Sequence, residues 1–465
     1  MKRLACAIAL MSAACTVVGP DYQRPAQDLP ADYPEAASGT AAALRSDWWT
    51  LYNDPTLNDL IATAQSRNAD ARLASAQLEE AEAALREVDA NFYPQVDGGY
   101  ASTRSRVSSL TALPNPRPFV RDDRRLAAST SFEIDFWGRL RRGAEAARAQ
   151  ALASRFGRDV VALTLAGTTA QVYFALRSTD AQIAVVRESY QARADSLELV
   201  KNRVAGGIAS PLDTAQAQGA LADAAILQKD LERQRRLFEH QLGQLSGKAG
   251  LRISAGDLNA LPIPPVPPPG LPSALLERRP DVRAAEQTLV SANARIGVAR
   301  AAMFPIISLT GALGGQSAAV SDLLLGGARI WSLGFGLTLP LFDAGRLAAR
   351  TEQAEARTRQ SIANYQKAVE AAFRETADAI TNLEQTTATE TDLRTRVEAA
   401  RETLSISRTR YGAGYSGYLE VLDAQRSAND AELALVRNRQ VRLVESVNLM
   451  KALGGGWSPA VASKP

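Results

Sequence analysis

The residues that most often carry bond chemistry are nearly missing from this chain. Its 465 residues include one histidine, His240, and two cysteines, Cys6 and Cys15. A conventional zinc site needs about four Cys, His or carboxylate ligands, which nearly excludes a Cys/His-rich metal centre. A Ser-His-Asp triad has only His240 to draw on. That residue stands in a charged stretch from Arg233, the pattern of a solvated helix residue. Gly412-Ala-Gly-Tyr-Ser-Gly417 formally matches a dinucleotide fingerprint. No strand pattern precedes it, and its twin at Gly206-Gly207 lacks the spacing, so both read as helix-ending turns. Gly243 to Lys248 is misspaced for a phosphate loop. The chain is not expected to be an enzyme or to hold a metal. The formal charge is +3, or +1 without Lys2 and Arg3, so no nucleic-acid partner is implied.

Cys15 is the one residue whose surroundings suggest covalent chemistry. Lys2 and Arg3 precede an apolar stretch, Leu4 to Met11, then Ser12-Ala-Ala-Cys15. This reads as a signal peptide over residues 1–14, with Cys15 placed for lipid attachment after cleavage. Ser12 departs from the leucine-like residue usual three places before such a cysteine. An ordinary signal with an incidental cysteine is the alternative. Thr16 after the cysteine, rather than Asp, suits outer-membrane sorting in the bacterial lipoproteins that this stretch resembles. Cys6 would leave with the signal, and no intrachain disulfide would remain.

The elements behind these residues are written twice. Residues 71–94 align without gaps to 282–305, an offset of 211. Ala71, Ala74, Leu78, Ala81, Leu85, Val88 and Phe92 match Val282, Ala285, Leu289, Ala292, Ile296, Ala299 and Met303. Both sets step three-four, which is a heptad seam on a helix. Tyr93-Pro94 and Phe304-Pro305 end these helices. A second pair, Arg203–Asp213 and Arg410–Glu420, matches at an offset of 207. Heptads precede each, with Arg193 as a polar interruption in the first. The region between the anchors is therefore four residues longer in repeat one. Mean hydropathy is −0.15, and outside the N-terminus no run of about 18 apolar residues is expected to span a bilayer as a helix.

After each aromatic-proline the period falls to two. Trp331, Leu333, Phe335, Leu337, Leu339 and Leu341 alternate with small or polar residues, as do Ile307, Leu309 and Leu313. In repeat one Phe132, Ile134 and Phe136 alternate, and a weaker strand lies near 96–103. The first hairpin loop is expected at about 104–125, exterior and solvated, with arginines in reach of lipopolysaccharide phosphates as the sharper alternative. One apolar face per hairpin suits a transmembrane strand of about 9–11 residues. Four strands cannot close a barrel in lipid, so several chains are required. Asp135-Phe-Trp-Gly-Arg139 and Asp343-Ala-Gly-Arg346 then open helices of about 65 residues, on the order of 100 Å, ending at Gly206, Gly207 and at Gly412, Gly414. The divisions read as 15–56, an anchored extended segment; 57–261 and 273–453, two repeats; 262–272, a stiff proline-rich linker; and 454–465, a tail.

These residues resemble the TolC-like outer-membrane factors, especially the OprM/NodT-type lipoprotein branch. The resemblance rests on Cys15–Tyr22, Trp48-Trp49, Glu277–Glu286, Phe304-Pro305, Leu341–Arg346 and Tyr418–Arg426, and covers nearly the whole mature chain. It implies a mainly α fold with a β-barrel membrane part: a homotrimer of twelve strands continued by twelve helices into the periplasm. It implies the outer-membrane duct of a tripartite efflux system, with a periplasmic adaptor and an inner-membrane RND-type pump that chooses the cargo. By the same resemblance Leu419 forms an apolar ring, Glu420 and Asp423 form acidic rings that set cation preference, and Arg426 pairs with Asp423. Tyr411 and Asp213 tether the inner helix pair to its neighbour. Ser416 stands where some relatives use a tethering arginine. A threefold axis brings like charges together, which opposes closure unless cations or Arg426 counter it. An exposed helix N-terminus also favours acids. A periplasmic adaptor lipoprotein is the alternative function, against which stand two equal helical repeats, each with an apolar hairpin.

Overall fold

The computed structural model describes residues 17–27, 30, 45–108, 110, 119–265 and 275–457. Cys15, residues 1–14 and the proline-rich run beyond Pro265 lie outside the described residues. In chain order the elements are α1 (Pro55–Arg67), α2 (Ala69–Ala90), β1 (Gln95–Arg106), β2 (Val120–Ile134), α3 (Arg139–Ala205) and α4 (Pro211–Leu245). There follow α5 (Pro280–Ala301), β3 (Ile306–Ser317), β4 (Arg329–Thr338), α6 (Arg346–Gly412) and α7 (Tyr418–Ala452). The duplication is visible in lengths. α2 and α5 have 22 residues each, α3 and α6 have 67, and α4 and α7 have 35. The four extra residues of repeat one fall between Ala90 and Arg139, within its hairpin.

The shared Asp…Gly-Arg motif is a strand-to-helix turn. Asp135 accepts from the backbone N–H groups of Leu140 at 2.9 Å and Arg141 at 3.0 Å, and Asp343 accepts from Leu347 at 2.8 Å. Each carboxylate satisfies donors that the first helical turn leaves unpaired. Gly138 and Gly345 supply the positive φ the turn needs, +81° and +85°.

The strands form one antiparallel sheet in the order β1-β2-β3-β4. Register places Val96, Tyr100, Leu126, Phe132, Leu309, Leu313, Trp331, Leu333, Phe335 and Leu337 on one face. Small and polar residues, such as Gly99, Ser129, Thr310, Gly334 and Gly336, share the other. The apolar face is bare: Trp331 is 78% exposed, Leu333 73% and Leu313 68%. β1 and β4 each have a pairing partner on one side only among the described residues.

Three expectations about the strands and the leading segment need correction. The first loop is shorter than 104–125, because β1 runs to Arg106 and β2 starts at Val120, pairing Arg104 with Asp122 and Ala101 with Arg125. Within this charged stretch one opposite-charge pair faces across the strands, Arg104 and Asp122 at 3.8 Å, and the other charged residues of β2 stand opposite alanine, serine or threonine. β4 stops at Thr338 rather than Leu341, since Pro340 has no N–H to give the ladder. The 15–56 segment is not all extended. Trp48–Tyr52 is a 3₁₀ turn and Pro55 opens α1, capped by Asp54, which accepts from Thr56 N–H at 2.8 Å.

The chain makes two compact units. One comprises the described part of Met1–Ala26 with Leu78–Ser154 and Ala284–Tyr365; the other comprises Gln27–Gln77, Arg155–Arg283 and Gln366–Pro465. In the first, Trp137 stacks on Phe304 at 4.6 Å and donates to the Pro305 carbonyl at 2.9 Å. Arg142, buried, donates to Asp21 at 2.6 Å and Glu145 at 2.8 Å, and Arg24 grips Glu286 at 2.6 Å. The described stretch from Val17 to Arg24 is thus a strap pinned to α3 and α5. Gly19 is required there, because a Cβ would stand 2.5 Å from the Gly297 Cα.

The second unit holds the largest apolar core, with Trp48, Tyr52, Leu57, Ile61, Phe174, Leu176, Leu242, Leu443 and Val447 fully or almost fully buried. This core also corrects the hydropathy reading. One 18-residue window of α3 reaches a mean hydropathy of 1.3, apolar enough by composition to cross a membrane, yet half of it is buried within the chain. Its apolar side packs on Trp48 and Tyr52, so protein rather than lipid accounts for that half. Arg279 fastens the Glu-Arg-Arg-Pro-Asp motif, donating to Asp281 at 2.6 Å and to Glu375 of α6 at 2.8 Å. Trp457, in the stretch read as a tail, donates to Asp159 at 2.9 Å and packs edge-on against Phe156. His240 is exposed on α4, as expected.

Candidate functional site

The residues singled out by sequence converge on the two turns α3–α4 and α6–α7. Both turns close in the same way. Ile208 N–H reaches the Arg203 carbonyl at 2.9 Å and Tyr415 N–H reaches that of Arg410 at 2.9 Å. Gly207 N–H meets Val204 at 3.0 Å and Gly414 N–H meets Tyr411 at 3.0 Å. This paired bonding satisfies the last helical carbonyls and needs one left-handed residue. Gly207 and Gly414 take that place, at φ +73° and +80°. Gly206 and Gly412 do not have positive φ.

The helix starts differ. Ser210 caps α4, accepting from Leu212 N–H at 3.1 Å, while Asp213 accepts from the Ser210 N–H at 3.1 Å. This reciprocal box leaves the Asp213 carboxylate engaged within its own turn. At the start of α7, Gly417 offers no side-chain cap, and Glu420, the counterpart of Asp213, pairs instead with Arg410 at 3.2 Å. Glycine in place of a capping serine costs about a few tenths of a kcal/mol, so α7 has the slightly weaker beginning.

Beneath the turns lies a small apolar cluster of Leu197, Val200, Ala217, Tyr411, Tyr418 and Val421. The Tyr411 and Tyr418 rings lie 5.6 Å apart. Arg203 lies over the Tyr411 ring at 4.5 Å and donates to the Tyr411 carbonyl at 2.8 Å, joining the ends of α3 and α6. A cation there also complements the carboxyl end of α6. Burial holds both phenols above their ordinary value; Asp213 adds to this at each, while Arg203 opposes it at Tyr411 and Arg193 at Tyr418. Neither phenolic oxygen has a hydrogen-bond partner among the described residues.

Leu419 is 62% exposed, and so is its counterpart Leu212. Arg426 pairs with Asp423 at 2.8 Å, both exposed, a pair worth at most about 1 kcal/mol. Leu419, Asp423 and Arg426 line a cleft of about 480 Å³ with Asp223 and Asp430. On its floor the buried Arg193 donates to the Ala220 carbonyl at 2.6 Å, and burial holds its guanidinium below the ordinary value. The structure thus brings Leu419, Asp423 and Arg426 together. It places Tyr411 and Glu420 beside them and gives Asp213 to its own helix cap. Sequence reasoning missed Arg203, Arg410 and Tyr418 as participants. The signal was present, since Arg203 and Arg410 occupy equivalent places in the two repeats.

Comparison with known proteins agrees with this architecture. The description "Outer membrane efflux protein" matches residues 60–248 and again 271–455. The chain is 34% identical to the cation efflux system protein CusC of Escherichia coli O6:H1, covering 98% of this chain and 99% of that one. It is 31% identical to the toluene efflux pump outer membrane protein TtgC of Pseudomonas putida, covering 95% and 93%. A crystal structure of a membrane protein from Pseudomonas aeruginosa superposes with a TM-score of 0.89 at 33% identity, covering 96% and 99%. The chain is a duplicated, mainly helical protein with, among the described residues, a single apolar-faced sheet. It belongs to the outer membrane efflux protein family, which sets aside the adaptor alternative.

Proposed function

We propose that this chain is the outer-membrane channel subunit of a tripartite efflux system and works as a homotrimer. The observation that carries the proposal is the open four-stranded sheet, with a bare apolar band on one face that includes Val96, Tyr100, Leu313, Trp331, Leu333 and Leu337, continued by two 67-residue helices. Unpaired strand edges are not tolerated in lipid, so β1 and β4 must meet edges of other copies. Three copies give a twelve-stranded barrel. The helices carry the duct into the periplasm, where an adaptor and an RND-type inner-membrane pump dock. Cys15 carries the lipid that holds the strap at the membrane.

The two turns form the periplasmic gate. Around a threefold axis Leu419 makes an apolar ring, and Glu420 and Asp423 make acidic rings that prefer cations. The uncapped start of α7 makes the second repeat the easier half to move. Relatives named for cation and for toluene efflux are about equally similar to this chain, which supports a duct that leaves the choice of cargo to the pump. Purified trimer in planar bilayers tests the reading. A small cation-preferring conductance is expected, with the preference reduced in Glu420→Ala/Asp423→Ala. Well-folded trimer that conducts nothing, even with the gate residues replaced, sinks it. Labelled palmitate incorporated by the wild type and not by Cys15→Ser tests the anchor.

A further inference from the structure

A groove of about 440 Å³ in the first unit is lined by α5 and α6, with Gln150 of α3 at its margin. Its α6 wall is the stripe Arg350, Gln353, Arg357, Gln360, Asn364, spaced three-four along one face. Arg295 faces it from α5. Three guanidiniums therefore line one groove with no carboxylate in the lining. None of the three makes a side-chain hydrogen bond or ion pair among the described residues, whereas nearby Arg300 is taken by Glu355 at 2.7 Å.

The duplication supplies an internal control on whether the fold needs these residues. At the equivalent places repeat one has Ala84 for Arg295, Gly143 for Arg350 and Gln150 for Arg357. Helices of the same lengths form without the arginines. Like charges gathered at one place raise the energy of the bare groove. Three exposed arginines confined to one repeat, lining one groove and unpaired among the described residues, are better explained by a ligand than by the fold.

We propose that this groove binds a multiply charged, phosphate-bearing anion. Arginine forks match phosphate oxygens in pairs. Arg350 and Arg357 stand two helical turns apart, about 10 Å, which favours a molecule with two phosphate groups over a single one. The other lining residues, Gln, Asn, Ser and Thr, give neutral donors for the remaining oxygens. The anion is either free in solution or the headgroup of a lipid. The site lies within one protomer, so it stands or falls separately from the conductance test.

Calorimetric titration of inorganic pyrophosphate into trimer in a zwitterionic detergent tests the first source. Protein-bound lipid phosphorus after reconstitution in nanodiscs containing cardiolipin, which carries two phosphates, against phosphatidylcholine alone, tests the second. The variant Arg295→Ala/Arg350→Ala/Arg357→Gln carries side chains close to those of repeat one and is expected to keep the trimer. Binding of one probe is expected to weaken at least about tenfold in it, the loss of one to two charge-assisted contacts. The single variant Arg350→Gln should show a smaller loss should the triple variant fold poorly. A loss for pyrophosphate identifies a free anion, and a loss for bound lipid alone identifies a headgroup. Folded wild type and variants that handle both probes alike overturn the site.

Discussion

Closing the barrel requires β4 of one copy to pair with β1 of the next, and the duplication specifies the register. Within the chain β2 pairs with β3 so that Ile134 faces Ile307 and Arg124 faces Ser317. Moving that contact by the two repeat offsets pairs Thr338 with Gly99 of the neighbour, Leu337 with Tyr100 and Trp331 with Arg106. Apolar faces then meet apolar faces, as they must, since a one-residue slip inverts every side chain. Residues 331–338 would pair with 99–106, about eight residues a side. At several kcal/mol for each unsatisfied backbone group in lipid, leaving that edge open costs tens of kcal/mol. Cysteines report on the register. Directly opposed residues have Cα atoms about 4.5–5.5 Å apart, within disulfide reach, whereas a diagonal pair at about 7–8 Å is outside it. A Cβ at Gly99 meets nothing within 4 Å, so a cysteine fits there. Outer-membrane fractions of Gly99→Cys/Thr338→Cys, oxidised and run without reductant, should show covalent dimer and trimer. Ala101→Cys/Thr338→Cys and the single variants should not. Equal cross-linking of the diagonal pair, or none from either pair in an intact trimer, refutes the transfer of register from repeat to repeat.

Other substitutions separate residues that look alike in sequence. Gly414→Ala forces a side chain into φ +80° and should cost about 1–2 kcal/mol, whereas Gly412→Ala, helical and in open space, should be neutral or stabilising by about 0.5–1 kcal/mol; thermal melting of the trimer compares them. Removing the cap in Ser210→Ala should destabilise the start of α4 by about 1 kcal/mol, while Gly417→Ser should steady α7 by only about a few tenths, both read by hydrogen exchange at the turns. Tyr411 and Tyr418 ionise above the 10.0 of a free phenol when folded, so the unfolded chain loses its protons first as pH climbs past that value. The stability they contribute is therefore whole below pH 10 and declines above it, and Tyr411→Phe should flatten that alkaline limb in a melting series.

Much of this was written in the sequence because its period is long and repeated. The heptad seams and the glycines that end them located the helices, and the two offsets placed the turns in register with each other. What stayed hidden was short or mixed in chemistry. The strand through Asp122-Asp-Arg-Arg125 carries charge on both faces, so no period-two contrast marks it, and only pairing with β1 and β3 makes it a strand. Trp48 to Tyr52 is too short to show a period, yet it is the centre of the second unit's core, where tertiary burial decides the conformation. At the turns, acids were legible as acids, but their partners were not. Asp213 and Glu420 occupy equivalent places, and only the presence of Ser210 against Gly417 sends one to a cap and the other to Arg410.

The equal lengths of α3 and α6 restrict how this protein can change its reach. Deleting a heptad from α3 alone would draw its turn back by about 10 Å while α6 kept its own, so the two turns could no longer share a level. Removing the same seven residues from both would restore the match. Depth is therefore inherited as a pair of coordinated edits, a ruler read twice, and chains that serve envelopes of different thickness should differ by insertions in duplicate. The four unmatched residues sit in a hairpin, a place where an unpaired edit leaves the ruler intact.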